Sequence, residues 1–314
     1  MATLGSSRFR DIFVPSFFNS NREIRCAMSQ PWLRIAFIQA VKQRRSSQEM
    51  TTLLQSLLQL PDSTRPCAGK EPSTRKWYQL IDPFDNTIIP AFEICTHCVR
   101  NVDLVFPSLR GTFTRTTSLL QERVCNLNTH SKRFLSYIEQ LDKASTRFTA
   151  DTSLRKPDIQ DLAKYARRVA NIHDCQRDNM LFSTEWHFMS QLPDFTVCSE
   201  CFEEVIRPVW DRPLANAFPK KARQLPITLE TRSVPAGATS CQLYSARMRR
   251  VFLEAVRNND FDALKDAAVK RHDAEVRCQA RHRELTQMQG GNAGNGNERA
   301  AEVRRNLLAW KSWE

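Results

Sequence analysis

Apolar residues recur every three to four positions along much of this chain, a spacing that predicts amphipathic helices packed around a core. From Pro31 to Arg45 the apolar positions are Leu33, Phe37, Ile38 and Val41, and from Gln48 to Leu60 they are Met50, Leu53, Leu54, Leu57 and Leu58. The two stretches read as a helical hairpin. Ser46 followed by Glu49 is a capping-box pattern that starts the second helix, and Pro61-Asp62 stops it. After a polar connector over 61–76, Trp77 to Phe106 carries the β-branched and aromatic content of short strands. Helical spacing returns from Ser131 to Phe148 and again after Pro157, where Leu162, Tyr165, Ala166, Val169, Ile172 and His173 share a face. That face makes His173 a core residue. Ser240 is placed to cap a helix carrying Tyr244, Met248, Val251, Phe252 and Ala255, and Asn259 or Asp260 caps another that runs to about Gln287. Residues 289–297 are Gly/Asn-rich and read as a flexible linker. Arg299 to Trp313 then forms a short amphipathic helix suited to docking on the body or on a partner.

The pattern predicts a mainly α protein with short β elements. It divides into an N-terminal helical hairpin and connector (1–76), a core domain (77–288), and a linker with a terminal helix (289–314). With 314 residues, 41% of them hydrophobic, the chain can bury one large core or two modest ones. No stretch approaches the roughly 18 consecutive apolar residues of a membrane-spanning helix. The N-terminus lacks the apolar centre of a signal peptide, because charge and Pro15 interrupt Phe9 to Val14. Ser6, Ser7, Arg8 and Arg10 suit a transit peptide, but Asp11 and Glu23 do not. A nuclear or cytoplasmic location follows as the expectation, and in a reducing compartment metal binding is the better default for ten cysteines than disulfides.

Spacing makes that default specific. Cys95/Cys98 and Cys198/Cys201 are two Cys-x-x-Cys pairs, each preceded by a short apolar run, and four thiolates so arranged suit a tetrahedral zinc ion. The second pair precedes Phe202, Val205 and Ile206, which predict a helix ending before Pro208 with its ligands in the first turn. Ile94 to Val99 reads instead as a knuckle-like turn between strands. A knuckle and a helix start, two ligands from each, give a treble-clef-like, zinc-stabilised cysteine cluster embedded in a helical domain, with one Zn²⁺ per chain. Cys125 and Cys241 are further candidate ligands, either replacing a member of the pairs or joining His97 or His130 in a second site. Burial of all these cysteines without metal is the remaining alternative. Cys26, Cys67, Cys175 and Cys278 carry no spacing signature and read as ordinary residues.

A formal net charge of +12 favours acidic partners, and residues 1–79 hold twelve Lys/Arg against five Asp/Glu. Lys42-Gln43-Arg44-Arg45 is the one approach to a basic cluster and is accounted for as a solvated helix end. Catalytic signatures are missing. There is no His-Glu-x-x-His, Gly-x-Ser-x-Gly or phosphate-binding glycine loop, and neither pair has the His-x-Glu and Pro-Cys context of a zinc deaminase. A thioredoxin-like pair would need a βαβ setting that the flanking residues do not predict. The run Trp186-His187 and Leu192 to Val205, with Ser240 to Met248, is similar to segments of uncharacterised fungal proteins sharing the paired-cysteine layout. The resemblance implies no activity, but it groups Cys241 with the two pairs. The expected function is a zinc-stabilised interaction or regulatory scaffold with a protein partner and no small-molecule substrate. The alternatives are a nucleic-acid-binding regulator, motivated by Arg247, Arg249 and Arg250, and a zinc or thiol enzyme.

Overall fold

A computed structural model describes residues 27–62, 64–115, 117–151, 153–181, 185–224, 239–287 and 296–313. The leader-like features before residue 26, Cys26 itself and most of the Gly/Asn-rich segment lie outside the described residues. Helices account for about 54% of the structure, accompanied by short strands. The chain forms two compact units, residues 1–171 and 172–314. Composition suggested boundaries at 76 and 288, whereas compactness divides the chain between the two cysteine pairs.

Unit 1 begins with helices α1 (Pro31–Lys42) and α2 (Ser47–Leu58). Pro31 sits at the start of α1, where its missing N–H costs nothing. Ser46 and Glu49 form the full capping box: the Glu49 N–H donates to the Ser46 hydroxyl and the Ser46 N–H to the Glu49 carboxylate. Strands β1 (Ser73–Arg75), β2 (Trp77–Ile81) and β3 (Ile88–Cys95) follow, and β3 runs straight into helix α3 (Thr96–Val105). The knuckle-like turn expected around Cys95 is therefore a helix start. Val99, Val102 and Val105 give that segment one buried face at helical spacing. Strands β4 (Phe113–Thr114) and β5 (Gln121–Arg123) and helices α4 (Phe134–Ala150) and α5 (Gln160–Val169) complete the unit. β2 is the centre of an antiparallel sheet, order β3-β2-β4, and Trp77 pairs with Cys95. Phe92 and Tyr137 pack in the core with ring centroids 5.1 Å apart, and Arg167 of α5 binds Asp82 and Asp85 of the β2–β3 hairpin at 2.8 and 3.1 Å. Because α5 ends at Val169, His173 lies beyond it and is exposed rather than core.

Unit 2 pairs strands β6 (Glu185–Met189) and β7 (Leu192–Val197), with β8 (Arg223–Gln224) on the far side of β6, again placing the first hairpin strand in the middle. After Val197 the chain turns through a helical turn (Ser199–Cys201), a π-helical turn (Phe202–Ile206) and a 3-10 turn (Arg207–Val209), so Pro208 does not stop it. Helices α6 (Pro213–Asn216), α7 (Ala246–Asn258), α8 (Phe261–Gln287) and α9 (Gly296–Lys311) follow. The α7 cap is Ser245, whose hydroxyl accepts from the Met248 N–H, and not Ser240, which is buried and donates to Glu275. Asn259 ends α7 in the left-handed conformation that asparagine tolerates, and Asp260 caps α8 through the Ala263 N–H. Phe195, Phe218 and Phe252 form the aromatic centre of the core, and Trp310 of α9 is 6% exposed. No helix among the described residues is long and apolar enough to cross a membrane.

Candidate metal centres

Each Cys-x-x-Cys pair begins a helical turn at the end of a hairpin, and in each unit two distant cysteines meet it. Cys67, Cys95, Cys98 and Cys125 form one group, and Cys175, Cys198, Cys201 and Cys241 the other; within each group the sulfurs lie within 4.8 Å of one another. A tetrahedral zinc thiolate site has Zn–S of about 2.3 Å and hence sulfurs about 3.8 Å apart. Both groups can contract onto one ion. The pairing differs from the expectation: Cys95/Cys98 and Cys198/Cys201 do not share one site, and each pair is completed within its own unit. Cys125 and Cys241, the further candidates, are the fourth members of the two groups, and Cys67 and Cys175, read as ordinary residues, are their first members. His97 and His130 belong to neither group, and Cys278 stands apart with its sulfur 3.6 Å from the Asn306 carbonyl.

The same local devices build both groups. The first cysteine sits in a loop whose residue two positions on has a left-handed backbone: Gly69 at φ +68°, Arg177 at φ +57°. That turn aims the Arg177 N–H at the Cys175 sulfur, 3.3 Å away, and the Gly69 N–H at the Cys67 sulfur. The second cysteine is the helix N-cap, with extended backbone in both units (φ −75°, ψ 156° at Cys95; φ −70°, ψ 159° at Cys198). Its own N–H points at the sulfur of the fourth cysteine, Cys95 to Cys125 at 3.4 Å and Cys198 to Cys241 at 3.5 Å. A fully buried leucine, Leu127 or Leu243, lies two residues after that fourth cysteine. A tryptophan on the central strand, Trp77 or Trp186, is 2% exposed in each unit. Trp77 faces Cys95, and the His187–Val197 pairing sets Trp186 in the same register against Cys198.

Electrostatics show what a bare group lacks. Cys67 is pulled well below an ordinary thiol by hydrogen bonds from Cys125, Cys95 and Cys98. Cys98 is pushed well up by Cys125, Cys67, Cys95 and burial, and Cys125 by burial first and then its neighbours. In unit 2 Cys175 is pulled down by Cys198, Cys201 and Cys241, while Cys201 and Cys241 are pushed up. A second thiol of each group, Cys95 or Cys198, is also pulled down by its neighbours while the other two are pushed up, so without a cation the four do not all ionise, because buried like charges oppose it. A divalent ion inverts this and holds all four as thiolates. Unit 2 has an additional counter-charge: Arg249 binds both Glu204 oxygens at 3.0 and 2.8 Å and lies 3.6 Å from the Cys201 sulfur.

Three of the four cysteines in the first group, and two in the second, are buried. No known family model, curated protein or solved structure matches the chain. Two four-cysteine groups able to bind metal are thus the chemistry that the chain itself displays. In sequence, the left-handed residue two positions after Cys67 was the signal for the first member, since Gly69 serves such a turn. Arg177 disguises the same turn after Cys175.

Proposed function

We propose that this protein is a two-zinc binding or regulatory factor in which each unit is closed by a structural Zn²⁺. One observation carries the reading: the same loop, hairpin, helix start and returning cysteine assemble an all-cysteine group twice. Four thiolates fit zinc, which takes tetrahedral sulfur ligation and has no redox chemistry of its own. A closed four-thiolate set leaves no coordination position for water or substrate, which favours a structural role over a catalytic one. The hairpin leading into a helix that supplies two ligands supports a treble-clef-like description of each site, with the other two ligands from the flanking loops. Zinc on this scaffold stabilises folds that present helical and loop surfaces to a protein partner, in nucleus or cytoplasm.

Metal analysis of protein purified without added metal tests this reading. The expected content is two zinc ions per chain, with helical circular dichroism lost on chelation. A stably folded, metal-free protein overturns it. The charge of +12 supports a second reading, nucleic-acid binding. Binding through several phosphates weakens by about 10³-fold or more between 50 and 200 mM salt. Anisotropy with a labelled duplex and a labelled single strand at both salt concentrations separates the two readings.

A further inference from the structure

The surplus charge of the chain is not shared between its units. Residues 1–171 hold 25 Lys/Arg against 15 Asp/Glu, and residues 172–314 hold 21 against 19, so ten of the twelve surplus positive charges fall in unit 1. A closed four-thiolate zinc site adds the same negative charge to each unit and leaves the contrast in place.

Pairing sharpens it. Within unit 1, carboxylates are spent on neighbouring cations: Arg167 holds Asp82 and Asp85, Lys42 holds Asp142, and Arg147 holds Asp158 and Asp161. Arg44, Arg65, Lys76, Arg155 and Lys156, by contrast, are exposed and meet no carboxylate among the described residues. They stand in the turn between α1 and α2, in the connector leading to β2, and in the loop between α4 and α5. In unit 2, exposed cations stand among exposed carboxylates of the same helices. Glu254 lies between Arg250 and Arg257 on α7, and Asp262 and Asp266 flank Lys265 on α8. Neighbours one helical turn apart are about 5–6 Å from each other, inside the screening length, so their fields largely cancel.

Positive charge alone suits any acidic partner, and the surroundings of these five side chains choose among them. Residues 43–47, 61–76 and 151–157, which carry them, expose no large apolar side chain among the described residues. Stable anchoring to a bilayer takes a buried apolar group besides basic charge, and a protein interface is built around an apolar or aromatic centre. A nucleic-acid backbone needs neither. Its affinity comes from Lys and Arg meeting phosphates, which recur along the strand, so cations on separate segments can each meet one. Three of the five are arginines, whose planar fork takes phosphate oxygens two at a time.

We infer that unit 1, and not unit 2, carries the contact with a nucleic-acid backbone, through Arg44, Arg65, Lys76, Arg155 and Lys156. This deepens the nucleic-acid reading above and rests on it. The test uses the full zinc-loaded chain, with metal content and circular dichroism recorded for every sample so that a failure of the zinc reading or of the fold is seen separately. Arg44→Gln/Lys76→Gln and Arg155→Gln/Lys156→Gln in unit 1 are compared with Arg250→Gln/Lys265→Gln in unit 2, each pair removing the same charge. The two unit 1 pairs keep the test open to refutation if one of them misfolds. Anisotropy of a labelled duplex and a labelled single strand is followed at about 50 and 200 mM salt. Each unit 1 pair should weaken binding about tenfold at the lower salt and flatten the salt dependence by about one contact or more, while the unit 2 pair stays within about twofold of the parent. Binding that survives both unit 1 pairs, or falls equally with the unit 2 pair, overturns the inference and leaves the nucleic-acid reading standing. No binding of either strand form by the zinc-loaded parent overturns both. Sedimentation with phosphatidylserine-containing vesicles but not with pure phosphatidylcholine, in a protein that binds neither nucleic acid, assigns the charge to a lipid surface and overturns the partner.

Discussion

Single side chains separate the two centres from the rest of the cysteines. Cys67→Ser and Cys175→Ser should each lower bound metal by one ion per chain, whereas Cys278→Ser should leave the content unchanged, as elemental analysis would show. Arg249 lies against Cys201 and offsets the negative charge of a four-thiolate site. Arg249→Ala should weaken the unit 2 site by about 10- to 100-fold in competition with a chromogenic chelator. His187 gives a pH signature. Its Nδ1–H donates to the Pro219 carbonyl at 2.9 Å, its ring stacks on Phe202 at 3.9 Å, and burial holds its pKa below the ordinary imidazole value. As pH falls through about 6.5, the unfolded chain takes up the proton first, so stability present above that pH is lost below it. Acid also competes for the thiolates, so the comparison with His187→Phe isolates the imidazole. The melting temperature of the variant should fall less steeply than that of the parent between about pH 7.5 and 5.5.

Within elements, the caps and one buried ion pair carry separable contributions. Ser46→Ala removes the hydroxyl that accepts from the Glu49 N–H, leaving only the backbone N–H of residue 46 to donate to Glu49, and should cost about 1 kcal/mol, measured by urea denaturation followed through unit 1 fluorescence. On α8, Arg271 is fully buried between the rings of Tyr244 and Trp310, 5.3 and 4.9 Å from their centroids, and pairs with Glu275 at 3.7 Å. Burial pushes the Glu275 carboxyl up, against the pull of Arg271, and Ser240 donates to it. Glu275→Ala leaves a buried guanidinium without its counter-charge and should destabilise unit 2 by about 3–5 kcal/mol. Trp310 also donates to Asp178 at 3.1 Å, so the terminal helix α9 is anchored three residues beyond Cys175. Amphipathic spacing made that helix legible, together with α1, α2 and α4. The start of α3 was hidden because β-branched residues on either side of Cys95 read as strand.

At the scale of the molecule, each unit draws its sheet, core and cysteine group from its own half of the chain. Loss of one centre should therefore stay local. In Cys67→Ser, amide hydrogen exchange should accelerate over residues 27–171 while the remainder keeps its protection, and loss of protection in both halves would contradict this division. The sequence by itself determined the helical class, the capping box, the two pairs and their suitability for metal, because these follow from spacing along a helix or from two ligands three residues apart. Only the tertiary structure decided which cysteines join which pair. Cys67 and Cys125 lie about thirty residues either side of Cys95/Cys98 in sequence, and no local period encodes such a meeting. It depends on the hairpin bringing a loop and a turn to one helix end, on a left-handed backbone that glycine signals but arginine does not, and on the burial that makes four thiolates need one cation.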